Sequence, residues 1–165
     1  LKSYQEKRNF AVTSEPNPPK IADKRANSKK LIFVVQEHHS RQLHYDFRLE
    51  VDGVLKSWAV PKGLSMNPKD KRLAVQTEDH PIEYASFEGT IPEGEYGAGT
   101  VVIWDRGIYN NRSNKDGQEI SLSQALKSGH ASFWLEGKRL QGGFALTRTP
   151  RGWLLVKMRD EKAES

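Results

Sequence analysis

Cysteine is missing from all 165 residues. That excludes disulfides and every thiolate metal site, and it fits a reducing, intracellular, cytoplasmic setting. Long apolar runs are missing too: none approaches the roughly 20 residues a helix needs to cross a bilayer, so no membrane partner is expected. Residues 1–5 lack the apolar stretch and small-residue cleavage site of a secretory signal. The glycine-rich stretch 91–100 lacks the Gly-Lys-Ser/Thr ending of a phosphate-binding loop, which excludes nucleoside triphosphate binding there. It reads instead as a turn of special backbone geometry between strands.

Charge excess is missing from most of the chain. The net charge is +5, and residues 1–30 hold eight Lys or Arg against three Asp or Glu; the remainder carries 18 of each sign. All the excess therefore lies on a basic N-terminal arm, residues 1–30, which contains Pro16, Pro18 and Pro19. Such a composition does not fold alone. On charge alone it serves equally as a solvated linker or as a polyanion contact that releases counterions. Residues 31–160 form the expected folded domain, and residues 161–165 a polar C-terminal tail.

What is present is a β pattern. Residues 31–38 are β-branched and aromatic. Residues 43–51 alternate strictly, with Tyr45, Phe47, Leu49 and Val51 on one side and His44, Asp46, Arg48 and Glu50 on the other. Asp52-Gly53 is a type I′ hairpin signal leading into a return strand at 54–60. Further strands are predicted at 72–77, 100–104, 131–136, 139–147 and 153–158. Ser121 with Gln124 forms a capping box for a short helix ended by Gly129. Many short strands joined by tight turns predict a mainly β fold. Closure removes sheet edges, so the expectation is a closed or nearly closed β-barrel of about eight strands with one or two short helices.

The chemistry concentrates in residues 38–48. A strand repeats every two residues, so His44, Asp46 and Arg48 share a face. His38 ends the preceding strand on the same face as Gln36, and a turn at Ser40-Arg41 brings it toward His44. A polar outer face is ordinary on a half-buried strand. His, Asp and Arg in order, with a second His nearby, single this one out. Two imidazoles and one carboxylate leave open positions on a metal, and nitrogen and oxygen donors without sulfur suit manganese, iron, cobalt or zinc. Arg48 is placed to grip an anion beside that metal. His39 points away, and His130 reads as structural. A second group holds Lys62, Arg72, His80 and Tyr84. Its cations and His80 suit a phosphate pocket, with His80 as donor to the phosphoryl group or acid to the leaving oxygen. Taken singly, Lys62 and Arg72 are ordinary surface charges and His80 an ordinary turn residue.

These residues carry a resemblance. HSRQLHYDFRLEVDG, LKSWAVPKG, KRLAVQTEDHPIEYASFEGTIPEGEYGAG and VVIWDRG are similar to the 3'-phosphoesterase domain of bacterial DNA ligase D and its free-standing archaeal and bacterial relatives. The resemblance implies a β-barrel that heals 3' ends of DNA or RNA at primer–template junctions during non-homologous end joining, at the nucleoid. It implies removal of a 3'-terminal ribonucleoside, then of the 3'-phosphate, to leave a hydroxyl. It implies manganese, with cobalt or zinc as substitutes, on His38, His44 and Asp46. Arg48 and His80 match phosphate contacts, and Gln36, Lys62, Arg72 and Tyr84 match further residues of that site. In the arm, Arg8, Asn9 and Glu15 match positions near the ribose end. Asn9 stands where relatives carry an acid, a departure that bears on the ribonucleoside step. Ligase and polymerase modules, in the same chain or separate, are the implied partners.

No covalent nucleophile stands out, so direct attack by an activated water is the expected mechanism. A non-catalytic nucleic-acid-binding β-barrel leaves the ligand-like constellation without a purpose. A non-haem iron oxygenase shares the donor set but calls for a cosubstrate pocket instead of phosphate-gripping cations. A nucleotidyl transferase needs Lys where Glu50 stands, two residues before Asp52-Gly53.

Overall fold

Alternation along residues 43–51 sends four apolar side chains to one side, and burying that side dictates the architecture. The computed structural model describes residues 30–95 and 98–164. Its strands are β1 (Leu31–His39), β2 (Leu43–Val51), β3 (Val54–Val60), β4 (Lys71–Pro81), β5 (Gly89–Ile91), β6 (Gly99–Asn111), β7 (Asn114–Lys115), β8 (Gln118–Glu119), β9 (His130–Glu136), β10 (Gln141–Thr149) and β11 (Gly152–Lys157). One α-helix, α1 (Leu122–Ser128), and one 3-10 turn, Ile82–Ser86, complete the described elements.

The strands run in the order β1-β2-β3-β4-β11-β10-β9-β6, and β6 pairs back onto β1. This is the expected closed, eight-stranded antiparallel barrel. β5 adds to the first residues of β6, and β9 pairs with its last ones. Inside lie Phe33, Val35, Phe47, Leu49, Trp58, Val60, Phe133, Leu135, Phe144, Leu146 and Leu155, with Leu122, Ala125 and Leu126 of α1 packed on the same core. Phe47 stacks on Phe133 at 5.9 Å.

Local signals carry the turns. Asp52 and Gly53 have φ of 50° and 82°, which sets the β2–β3 register with Val51 opposite Val54. Ser121 Oγ accepts from the Gln124 backbone N–H at 3.1 Å, and Gly129 ends α1 at φ 94°.

The barrel's outer face is bare over much of its surface, but not over β1–β3. There the 3-10 turn Ile82–Ser86 packs on it. Val34, Leu55 and Ala85 form a second, small apolar core, backed by Ile32, Ile82, Tyr84 and Ile103. Two register shifts flank this region, at Val35/Gln36 of β1 and Leu55/Ser57 of β3. Such bulges re-aim side chains beside a site.

Candidate metal centre

His38 and His44 stand directly opposite each other across the β1–β2 ladder, with ring centroids 4.7 Å apart. Asp46, two residues along β2 on the same face, places Oδ1 3.4 Å from His44 Nε2 and Oδ2 3.6 Å from His38 Nδ1. One donor atom from each residue lies within 4.8 Å of the other two. Donors bound at ~2.1 Å to one tetrahedral cation stand about 3.4 Å apart.

The rings are also turned correctly. His38 Nε2 lies 3.2 Å from the Ala98 carbonyl, and His44 Nδ1 lies 3.4 Å from the Gln42 carbonyl. An N–H at each of those positions leaves the other nitrogen's lone pair facing Asp46. Metal-binding imidazoles use this arrangement, because the carbonyl fixes both tautomer and ring angle. The donor set therefore fits a divalent metal. The Ala98 carbonyl reaches His38 because β6 starts at Gly99, where a Cβ would collide with the His39 backbone. The glycine-rich stretch thus does more than turn the chain: it supplies the carbonyl behind one imidazole.

Electrostatics tie the three together. The Asp46 hydrogen bond raises the His44 pKa against the effect of burial. Burial pushes Asp46 upward, but His44, Arg48 and His38 outweigh it and hold the carboxyl below its usual value.

Arg48 is the hub of the neighbouring group and is 4% exposed. Its Nε donates to Gln36 Oε1 at 2.7 Å and its NH1 to Ser57 Oγ at 2.7 Å. NH1 also lies 3.2 Å from His80 Nδ1, while NH2 faces Asp46 Oδ2 at 3.6 Å. The guanidinium sits over the Tyr84 ring, 5.0 Å from its centroid. Burial and the Arg48 charge lower the His80 pKa, so this ring is neutral near pH 7. Its Nδ1 is shared between Arg48 and the Glu78 carbonyl, 3.0 Å away, which leaves Nε2 for a substrate. Gln36 in turn donates from Nε2 to the carbonyls of Tyr84 (2.8 Å) and Phe87 (3.2 Å).

Of the residues singled out in the sequence, the fold brings together Gln36, His38, His44, Asp46, Arg48, His80 and Tyr84. Lys62 and Arg72 do not line the same cleft. Lys62 is exposed in the turn after β3, and Arg72 NH2 lies 3.7 Å from Asp70 Oδ2. Arg72 shares its side of β4 with Ala74, whose side chain is in the barrel core, so the strand's alternation turns it away from the cleft. Arg8, Asn9 and Glu15 lie outside the described residues. His39 pairs with Glu37 at 3.2 Å and His130 with Thr147 at 2.9 Å. Sequence reasoning missed Ser57 and Phe87. The signal for Ser57 was a small polar residue on the face of β3 opposite Trp58 and Val60; Phe87 gave none.

The cleft has a volume of about 1530 Å³, larger than the ~300–1,000 Å³ of small-molecule pockets. Its lining carries two arginines, Arg41 and Arg48, against five carboxylates, Asp46, Glu78, Glu83, Glu93 and Glu95. The sequence leads to the expectation of a ring of cations; among the described residues the lining is acidic.

Known proteins share this sequence. Residues 36–148 match the DNA Ligase D 3'-phosphoesterase domain. The chain is 48% identical to the multifunctional non-homologous end joining protein LigD of Pseudomonas aeruginosa over 170 residues, which covers 100% of this chain and 19% of that protein. It is 46% identical to LigD of Mycolicibacterium smegmatis (98% of this chain, 21% of that protein). It is 45% identical to the Mycobacterium tuberculosis non-homologous end joining DNA repair protein LigD (98% of this chain, 20% of that protein). The chain thus spans about a fifth of the length of these relatives.

Proposed function

From the premise that the chain belongs to the DNA ligase D 3'-phosphoesterase domain family, we propose a metal-dependent 3'-end-healing phosphoesterase. It removes a 3'-terminal ribonucleoside and then the 3'-phosphate of DNA or RNA primer ends, leaving a hydroxyl for non-homologous end joining. His38, His44 and Asp46 hold the metal, with manganese the best match and cobalt or zinc as substitutes. Arg48 and His80 contact the phosphate, and Gln36 and Tyr84 hold Arg48 in place. Lys62 and Arg72, which lie outside the cleft lining, and Arg8, Asn9 and Glu15 of the arm would contact the nucleic acid beyond the cleft in this reading. The working partners are primer–template ends and the ligase and polymerase modules of end joining, inside the cell.

One observation carries the reading: two imidazole lone pairs and a buried carboxylate converge, each ring backed by a carbonyl, beside a buried arginine. The charge of the cleft supports it. Among the described residues the lining holds five carboxylates and two arginines, so a cation on the triad would favour entry of a phosphate dianion. A divalent cation on the triad supplies Lewis-acid stabilisation to a phosphoryl oxygen. The chain's own groups do the rest. Arg48, held on three sides, presents its NH2 edge next to the triad and keeps its charge at every working pH. His80 offers Nε2. That atom donates to the phosphoryl group when Nδ1 accepts from Arg48. It takes a proton from water when Nδ1 donates to the Glu78 carbonyl.

The test is a labelled primer–template ending in one ribonucleotide or in a 3'-phosphate, incubated with manganese or with chelator. Wild type should yield a 3'-hydroxyl end with manganese only, and His44→Ala should yield none. Binding without turnover under all metals would leave a nucleic-acid-binding barrel; wild-type rates in His44→Ala would refute the triad.

A further inference from the structure

The cleft has a second wall that the phosphate chemistry does not use. Pro81, Phe87, Ile91 and Pro92 line the cleft there, together with Tyr84, which also holds Arg48. On this wall Phe87 stacks on Tyr84, with centroids 4.9 Å apart and planes within 14°. Tyr84 is itself covered by the Arg48 guanidinium. Tyr84 thus contacts both the phosphate-gripping arginine and the Phe87 ring.

Phe87 is not needed for packing in the way its neighbours are. It belongs to neither apolar core: the small one beneath this wall is made of Val34, Leu55 and Ala85, with Tyr84 and Ile82 against it. Yet its position is tightly fixed. Gln36 Nε2 holds the carbonyls of both Tyr84 and Phe87, and Gln36 Oε1 receives Arg48 Nε. One buried amide therefore ties the arginine to the main chain that carries Phe87. A large, partly exposed aromatic ring beside a phosphate site, tied through the main chain to its arginine and left out of the cores, is the arrangement of a base-stacking platform.

We propose that Phe87 stacks on the nucleobase of the nucleoside whose 3'-oxygen carries the reacting phosphate, so that the base extends the Tyr84–Phe87 stack. Stacking reads the π-face that every base has, so this subsite tolerates sequence while requiring a base. The same subsite serves both steps, because the nucleoside left after ribonucleoside removal is the one that then carries the 3'-phosphate. The inference rests on the phosphoesterase reading above.

The experiment compares oligonucleotides ending in a 3'-phosphate on an ordinary nucleotide with the same strands ending in a 3'-phosphate on an abasic residue. Phe87→Leu should raise KM about tenfold on the first substrate, with kcat within about twofold, and leave the second unchanged. Phe87→Trp should restore the wild-type KM. An equal loss on both substrates would mean that Phe87 only supports the fold, and the proposal would fall. A parallel measurement places 2-aminopurine as the 3'-terminal base. Wild type should quench its fluorescence on binding and Phe87→Leu should not; equal quenching by both proteins also overturns the proposal. This readout needs no turnover. Quenching without hydrolysis in any metal would therefore retain the base subsite and reject the enzymatic reading.

Discussion

Two aspartates on this barrel are buried almost equally, Asp46 at 8% exposure and Asp105 at 4%, and their surroundings differ in kind. Asp105 is wrapped by main chain. Its Oδ1 accepts from the N–H groups of Arg106 and Lys138 at 2.9 Å each, and its Oδ2 from Arg139 at 3.0 Å and Leu140 at 2.8 Å. The turn from Gly137 to Leu140 closes around that carboxylate. No backbone N–H among the described residues donates to Asp46. Its neighbours are two imidazoles and a guanidinium, at 3.4–3.6 Å. Four short bonds to amides saturate a carboxylate and fix a fold. Longer contacts, from groups that themselves bind metals or anions, leave it able to accept a cation. Burial alone does not mark a site; the nature of the partners does.

The sharpest way to break this contrast is to make the same change at both positions. Asp46→Asn should lower kcat at least about 100-fold, exceeding the loss typical of a supporting residue. Asp105→Asn should act on stability. Its new NH2 group faces N–H donors, and leaving two of them unpaired costs about 3 kcal/mol, or about 6–12 °C in Tm for a chain of this size. Turnover measured below that Tm should stay within about threefold of wild type. Thermal melts and steady-state rates on the same preparations check both. An Asp105→Asn protein that melts like wild type but has lost activity would show that the two sites are not separable in this way.

The same contrast explains what the sequence made legible. Strands β2 and β3 and helix α1 came out with their bounds because alternation, a capping box and an Asp-Gly turn are local signals. The triad came out because a period of two puts His44, Asp46 and Arg48 in line and a short turn returns His38. Residues 100–104 were read as a short strand, yet β6 runs from Gly99 to Asn111. Asp105 and Gly107 interrupt the apolar pattern there, and Asp105 is compatible with a strand only because the distant 137–140 turn satisfies it. Strand β4 was likewise read as 72–77, although it continues through a bulge to Pro81. The β7–β8 hairpin turns on Asp116-Gly117, the same dipeptide signal as at Asp52-Gly53, but its two-residue strands carry no alternation to go with it. By sequence, Lys62 and Arg72 join His80 and Tyr84 in a second group suited to a phosphate pocket. Which cation faces the cleft is decided by register across the closed sheet, and no local pattern carries that.

Gln36 sharpens the comparison because it belongs to both kinds of surroundings. It is fully buried, with Nε2 on two main-chain carbonyls and Oε1 on Arg48 Nε. Gln36→Met keeps the volume and removes both roles. It should lower kcat about 10- to 100-fold, as loss of a group that orients a catalytic one does. It should also cost about 1–3 kcal/mol through the orphaned carbonyls and guanidinium. Gln36 pairs with Asp46 only through the strand ladder and its side-chain bonds go to Tyr84, Phe87 and Arg48, so manganese affinity measured by calorimetry should stay within about twofold. A large loss of manganese affinity in this variant would mean that the Arg48 group and the metal site are one cooperative unit.

The smallest expected effect lies in the metal-free protein and tests whether Asp46 and His44 pair at all without a cation. Asp46 raises His44 above 6.5, so the folded state holds that proton more tightly than the unfolded chain does. This contribution is complete below 6.5 and is lost as pH rises through the raised pKa. Asp46 is held below 3.8, so its contribution is present above 3.8 and is lost as pH falls through the lowered value. The pair therefore supports the fold between those limits. His80, lowered by burial and Arg48, acts with the opposite slope around 6.5, so the total melting curve mixes the two. The difference in Tm between wild type and His44→Gln, both in chelator, isolates the pair. It should be about 2–4 °C near pH 6, equivalent to about 1 kcal/mol, and should shrink as pH rises past the His44 titration. Manganese should reverse the trend, because the metal needs the neutral imidazole and its stabilisation of wild type grows with pH. A chelated difference that is flat in pH would mean that His44 is held by the Gln42 carbonyl alone and that the triad assembles only around its metal.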